Sequence, residues 1–101
     1  MSTIASTAIL RRSPRVAYRE LGGERGAVLL RLDTGAYHGI DRVGVLVWDL
    51  IERSPSFSDL ISRLGTKLDD VPTTTLESDI ADFLAGLRDR GLIEVVDPIV
   101  T

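Results

Sequence analysis

The sequence predicts an α+β domain with a three-stranded antiparallel sheet, three helices after it and a short C-terminal strand. Two observations predict this fold. Apolar residues alternate with a period of two as far as Ile40, which is typical of strands, and they recur with a period of 3.6 after it, which is typical of amphipathic helices. The length of 101 residues suits one domain, and 44% hydrophobic with 27% charged residues is the balance of an ordinary globular protein.

Turn residues divide residues 16–40 into three predicted strands. Residues 16–21 and 27–32 are apolar or β-branched, and a glycine-rich loop joins them. Residues 33–35 form a second turn signal, and residues 36–40 are the third strand. Because helices follow, we expect this third strand to be an open edge of the sheet.

Capping residues predict where the three helices begin. Asp41 is a good N-cap for the first helix, and Ser56 is placed to cap the second. Thr74 with Glu77 three residues later forms the stronger capping box and predicts the start of the third. Gly91 suits the left-handed position that ends this helix in a Schellman motif.

The predicted domain spans residues 15–97. Residues 1–14 are small and polar around a short apolar patch, so we expect a flexible N-terminal arm there. Residues 92–96 form the last strand, and residues 98–101 are a C-terminal tail.

Composition excludes several classes of function. The chain has no cysteine and only one histidine, His38, so we expect no catalytic activity, no metal and no cofactor. No apolar run approaches the roughly 18 residues of a membrane span. The N-terminus also has its arginines after its apolar patch, the reverse of a signal peptide. We therefore expect a cytoplasmic protein without a membrane partner.

The third strand and the third helix predict a peptide-binding groove. An open edge offers backbone hydrogen bonds to an extended peptide. On the third helix, one stripe is core, and a neighbouring stripe of mixed polarity suits a groove wall beside this edge. The candidate peptide-binding residues are Leu30, Ala36, Tyr37, His38, Gly39, Ile40, Leu76, Asp79, Ile80, Asp82, Phe83 and Gly86.

Three of these residues also have a structural interpretation. His38 fits a half-exposed strand position without a function, and Phe83 fits the core. Gly86 either leaves a notch for a partner or permits close helix packing, and the two interpretations have similar weight.

Two other functions compete with peptide binding. Three helices followed by a strand also suit a winged-helix DNA-binding protein. The charge argues against nucleic acid, because residues 32–101 contain six basic and thirteen acidic residues. A scaffold subunit that binds only its enzyme partner is the second alternative.

Residues 29–52, LLRLDTGAYHGIDRVGVLVWDLIE, resemble the pattern of the PqqD-like family. The pattern is a strand, a turn, a Tyr-containing strand and a capped helix that carries a small residue and then Ile-Trp. In this sequence its positions hold Tyr37, Ile40, Asp41, Gly44, Val47 and Trp48. Residues 80–93 resemble the closing helix of the family, with its L-x-x-x-G-L-I end. The resemblance covers residues 15–97, and Asp41 stands where the family more commonly has Asn.

The resemblance implies a winged-helix-like precursor-peptide recognition element without catalytic activity. In the family, the leader of a ribosomally made peptide pairs with the third strand and lies against the third helix. The implied partners are this leader segment and a separate modifying enzyme. A lasso-peptide pathway with a cysteine-protease-like leader peptidase is favoured over pathways of radical enzymes that make quinone cofactors or thioether peptides.

Overall fold

The computed structural model describes residues 4–22, 25–68 and 70–96. Its elements follow the predicted order, with one additional strand at the N-terminus. They are β1 (Ile9–Arg12), β2 (Val16–Glu20), β3 (Ala27–Arg31), β4 (Tyr37–Ile40), α1 (Arg42–Ile51), α2 (Phe57–Lys67), α3 (Thr73–Asp89) and β5 (Ile93–Val96). The α+β fold class is therefore confirmed.

The strands form two antiparallel sheets. The larger sheet has the order β2-β3-β4, and the smaller sheet pairs β1 with β5. In the larger sheet, Tyr18 lies opposite Leu29, and Leu29 lies opposite His38. Because side chains alternate between the two faces of a strand, these three share one face. That face packs against the helices, since Leu29 is fully buried and the Tyr18 ring stacks on Trp48 of α1.

The expectation of a flexible arm over residues 1–14 is wrong for the residues that the structure describes. Leu10 and Ala8 have exposed fractions of 3% and 0% and belong to the core. Leu10 also pairs with Val95 in the β1-β5 sheet. Only two apolar residues mark β1, and its partner strand is more than 80 residues away, so no local pattern could reveal the pairing.

The N-terminal segment also caps α2 from outside that helix. The backbone N–H groups of Phe57 and Ser58 donate to the carbonyl oxygens of Ala8 and Ser6 at 2.8 and 2.9 Å. The first N–H groups of a helix have no partner within the helix. The segment before β1 therefore satisfies donors that would otherwise bond water.

The predicted helix starts are confirmed for α1 and α2 and wrong for α3. Asp41 Oδ1 accepts from the N–H of Gly44 at 2.8 Å, and Ser56 Oγ accepts from the N–H of Asp59 at 3.3 Å. α3 begins at Thr73, two residues before the first helical position that a Thr74 cap would give, and its N-cap, Pro72, makes no side-chain hydrogen bond. The carbonyl oxygen of Pro72 accepts the first helical hydrogen bond, from the N–H of Leu76 at 2.9 Å, and proline has no side-chain acceptor, so α3 starts without a capping box.

The end of α3 is the predicted Schellman motif. Gly91 has a φ of 73°, and its N–H donates to the carbonyl oxygen of Arg88 at 2.9 Å. The N–H of Leu92 donates to the carbonyl oxygen of Leu87 at 2.9 Å. This pair of bonds defines the motif, and it turns the chain directly into β5. The predicted tail, residues 98–101, lies outside the described residues.

Replacing Leu10 with Ala tests whether β1 belongs to the folded core. We expect a loss of about 2 to 5 kcal/mol in the free energy of unfolding, because a buried leucine leaves a cavity. Urea unfolding followed by Trp48 fluorescence measures it. Arg11→Ala is the matched control, since Arg11 is the exposed neighbour on the same strand. Equal, small losses for both variants would mean that the segment is a loose arm.

Candidate functional site

β4 leaves one edge of the larger sheet open, since among the described strands it pairs with β3 alone. The backbone N–H of Arg31 donates to the carbonyl oxygen of Ala36 at 2.8 Å. In an antiparallel pair, directly opposed residues alternate between bonded and non-bonded. The register therefore makes His38 and Ile40 the next bonded positions towards β3. It follows that the N–H and C=O groups of Tyr37 and Gly39 point away from β3 at the open edge.

The register separates the candidate residues of the sheet between its two faces. His38 and Ile40 lie on the face that packs against the helices, and Leu30 lies opposite Tyr37 on the other face. Tyr37 is 77% exposed, and with the half-buried Leu30 it lines a shallow apolar cleft of about 650 Å³ on that outer face. The expectation that all candidates line one groove beside the third helix is therefore wrong for Leu30 and Tyr37, because the sheet lies between these two side chains and Phe83.

α3 contributes only part of its predicted stripe to the site. Leu76 and Ile80 are each 4% exposed and are packed in the core, so neither offers a surface to a ligand. Asp79 and Asp82 are exposed, as a groove wall requires. The spacing of Leu76 from Asp79 suits the mixed stripe, but the burial of Leu76 places it with the core stripe.

Phe83 and Gly86 are half-buried on the same helix. An added Cβ at Gly44 of α1 would lie 3.1 Å from the Phe83 ring atom Cζ and 2.9 Å from Cβ of Ile40. The Phe83 ring thus lies beside the start of α1 and the end of β4, where it provides an apolar surface. At Gly86, an added Cβ would meet only the Arg90 guanidinium, at 3.3 Å.

A cleft of about 400 Å³ lies between the start of β4 and the C-terminal end of α3. It contains Ala36, Tyr37 and His38 from the predicted set. It also contains Arg90, which follows Gly86 on the mixed stripe of the third helix, and four residues that the sequence did not assign to the site, namely Arg31, Thr34, Asp89 and Leu92. No local pattern marks Arg31 and Arg90 as neighbours, since they are 59 positions apart.

Arg31 fixes the end of α3 against the sheet. Its guanidinium forms an ion pair with Asp33 at 2.6 Å and donates to the carbonyl oxygen of Arg90 at 3.2 Å. A carbonyl at the C-terminal end of a helix carries part of the negative end of the helix dipole, which favours a cation there. Arg31 therefore joins the sheet to the C-terminal end of α3, and the Arg90 side chain lines the same cleft.

His38 is the one titratable side chain of β4 that faces α3. Burial of the imidazole, with a smaller contribution from the positive charge of Arg90, lowers the pKa of His38 below its ordinary 6.5. The imidazole makes no hydrogen bond within the described residues. A neutral ring therefore occupies the cleft at physiological pH.

The described ranges contain no group of three or more side chains that could hold a metal ion. None of the helices in those ranges combines the length and the apolar composition needed to cross a bilayer.

The family model described as coenzyme PQQ synthesis protein D (PqqD) matches residues 26–93. The match extends from the end of the first hairpin loop through β3, β4 and all three helices to the start of β5. The chain belongs to the PqqD family. The residues that carry the candidate site, from Leu30 to Arg90, all lie within the matched range of this PqqD-family chain.

Two solved structures are similar to this PqqD-family chain. One is TbiB1 in complex with the TbiA(beta) leader peptide, with 31% sequence identity and a TM-score of 0.71, covering 83% of this chain and 94% of that one. The other is lasso peptide synthetase B1 complexed with the leader peptide, with 25% identity and a TM-score of 0.67, covering 85% of this chain and 98% of that one. No curated protein matches the chain significantly.

Replacing Gly44 with Ala tests the packing of Phe83 on α1. The new methyl group would force Ile40 and Phe83 to move, so we expect a loss of about 1 to 3 kcal/mol in the free energy of unfolding. Gly65→Ala on α2 is the control, because nothing lies within 4 Å of the added Cβ. That variant is expected to gain about 0.5 to 1 kcal/mol. A gain at both positions would contradict the packing.

A titration of His38 tests the electrostatics of the cleft. NMR of the imidazole, the only one in the chain, should give a pKa below 6.5, and Arg90→Gln should raise this pKa without restoring it fully, because burial is the larger cause. The imidazole of the unfolded chain then binds a proton more readily than that of the folded chain. His38 therefore lowers the free energy of unfolding as the pH falls below 6.5. A pKa unchanged by Arg90→Gln would mean that the two side chains do not face each other.

Proposed function

We propose that this PqqD-family chain binds the leader region of a ribosomally synthesised precursor peptide as a strand added to β4. The observation that carries the proposal is the orientation of Tyr37 and Gly39, whose backbone N–H and C=O groups face the open edge beside α3. Backbone hydrogen bonds supply affinity in strand addition, and pockets for alternate side chains supply specificity. The chain itself has no catalytic role in this proposal.

The apolar surfaces beside the edge support the same function. Side chains of an added strand alternate between the α3 side, with Phe83, and the outer side, with Tyr37 and Leu30. Burying two apolar peptide side chains contributes about 1.5 to 3 kcal/mol each, against the cost of ordering the peptide. Affinity in the micromolar range or tighter is expected from this balance.

The pathway is proposed from the two similar structures. Both are complexes with leader peptides, and one is named a lasso peptide synthetase B1. We infer that this chain acts in the cytoplasm in lasso-peptide biosynthesis, where it delivers the leader to a separate modifying enzyme of the leader-peptidase class. The candidate contacts on α3 are Asp79, Asp82, Phe83 and Gly86, and we propose that the two carboxylates meet a basic leader residue.

Binding of DNA is the less favoured function. Its recognition helix would be α3, which exposes Glu77, Asp79, Asp82 and Asp89 to the surface. These carboxylates would repel the phosphate backbone, on which the affinity of DNA-binding proteins depends.

Replacing Gly39 with Pro tests strand addition directly. Proline removes the N–H that faces the open edge, and it is tolerated on an edge strand because no bond to β3 is lost. Gly39→Ala is the matched control, since it keeps the N–H and its Cβ would meet nothing within 4 Å. Fluorescence anisotropy of a labelled leader, encoded by a precursor reading frame beside this gene, should show saturable binding that persists at high salt. We expect roughly a tenfold loss of affinity for the proline variant alone, the value of one or two hydrogen bonds.

Three results would contradict the proposal. Equal affinity of the proline and alanine variants would exclude backbone pairing at Gly39. An affinity for the leader that falls steeply with salt concentration would favour binding by charge attraction, as in nucleic-acid binding, over strand addition. No binding by the folded wild-type chain would favour a scaffold that recognises only its enzyme.

A further inference from the structure

The cleft between β4 and the end of α3 has a positive charge that no carboxylate of the described residues neutralises. The Arg90 guanidinium donates to the carbonyl oxygen of Gly86 in its own helix, at 3.2 Å, and within the described residues it forms no ion pair. His38 faces it across the cleft, and neither ring nitrogen has a hydrogen-bond partner there. A cation and an unpaired imidazole thus line one small cavity.

The other charged groups around His38 are already paired. On the sheet side, Arg31 is neutralised by Asp33. On α3, the Asp89 carboxylate accepts from Arg88 at 3.3 Å. Asp89 is the only carboxylate among the residues that line the described cleft, so Arg90 is left as the unpaired charge next to the imidazole.

The register of β4 determines which residue of a bound strand enters this cleft. A strand added antiparallel to β4 bonds to the backbone of Tyr37 and Gly39. The peptide residue between those two bonds lies opposite His38 in a non-hydrogen-bonded pair, in which the side chains come closest. That residue points to the same face as His38, into the cleft.

We propose that this cleft is a carboxylate subsite, in which His38 and Arg90 hold an Asp or Glu side chain of the bound peptide at the position opposite His38. The carboxylate oxygens accept from the Arg90 guanidinium and from an imidazole N–H. The inference rests on the proposed function, which it deepens by assigning a residue class to one position of the peptide. It differs from the contacts of Asp79 and Asp82, which suit basic residues.

A peptide selection supplies probes that do not depend on the sequence of the leader. A random dodecapeptide library displayed on phage is selected on the full chain, and we expect Asp or Glu at one fixed position. A selected peptide is then synthesised in its acid form and with the matching amide, Gln for Glu or Asn for Asp. Anisotropy compares the two at one pH below and one above the ordinary pKa of histidine.

Arg90→Gln should lower the affinity for the acid peptide about tenfold, since a charge-assisted hydrogen bond is lost. The affinity for the amide peptide should stay unchanged. Arg63→Gln is the matched control, because it removes the same charge from an exposed pair with Asp59 on α2. The acid peptide alone should raise the pKa of His38 in an NMR titration, and it should therefore bind more tightly at the lower pH. A residue that only supported the fold would not produce this difference.

The failures of the two proposals are distinguishable. Selected peptides that carry no Asp or Glu, but whose binding is weakened by Gly39→Pro, would overturn the subsite and leave strand addition intact. The same conclusion would follow if Arg90→Gln weakened the binding of the acid peptide and the amide peptide equally. An unchanged pKa of His38 with the acid peptide bound would also overturn the subsite. Failure to select any peptide, together with no binding of the leader, would overturn both proposals.

Discussion

The register between β3 and β4 is the constraint on which the site depends. A shift of one residue would exchange the two faces of β4, so that the side chains of His38 and Ile40 would point away from the helices. The backbone groups of Tyr37 and Gly39 would then bond to β3 instead of facing the open edge. Two features fix this register. The turn from Arg31 to Ala36 closes one end of the pair, and at the other end Gly26, with a φ of 89°, lies against the carbonyl oxygen of Ile40, where a side chain would collide. The orientation of the open edge is therefore a consequence of its turns.

The position of the edge relative to α3 depends on different contacts. Phe83 lies against Gly44 near the middle of the helix, and Arg31 binds the carbonyl oxygen of Arg90 at its end. The first contact joins α3 to α1 and the second joins it to the sheet, so the cleft beside β4 is already formed in the structure without a ligand. A groove that exists before binding spares the complex the free-energy cost of opening it.

Much of the fold is predictable from the sequence, because its signals are local. The change of period at Ile40, the caps Asp41 and Ser56, and the Schellman ending at Gly91 each depend on residues within one turn of each other. Contacts between distant segments carry no such signal. β1 is an example, because Leu10 meets its partner only across the length of the chain. In the site, the contact of Arg31 with the end of α3 escapes a sequence-based assignment for the same reason. The burial of Leu76 is not predictable either, because only the packing of a helix decides where its apolar stripe ends.

The pairing of β1 with β5 brings the first and last described strands of the chain together. Ile9 lies opposite Val96 in an antiparallel pair, so β1 begins beside the point at which β5 ends, on a sheet separate from the one that carries β4. A module with neighbouring ends can be inserted into a surface loop of another protein without stretching either polypeptide. The open edge of β4 lies in the other sheet, so such an insertion would leave it accessible.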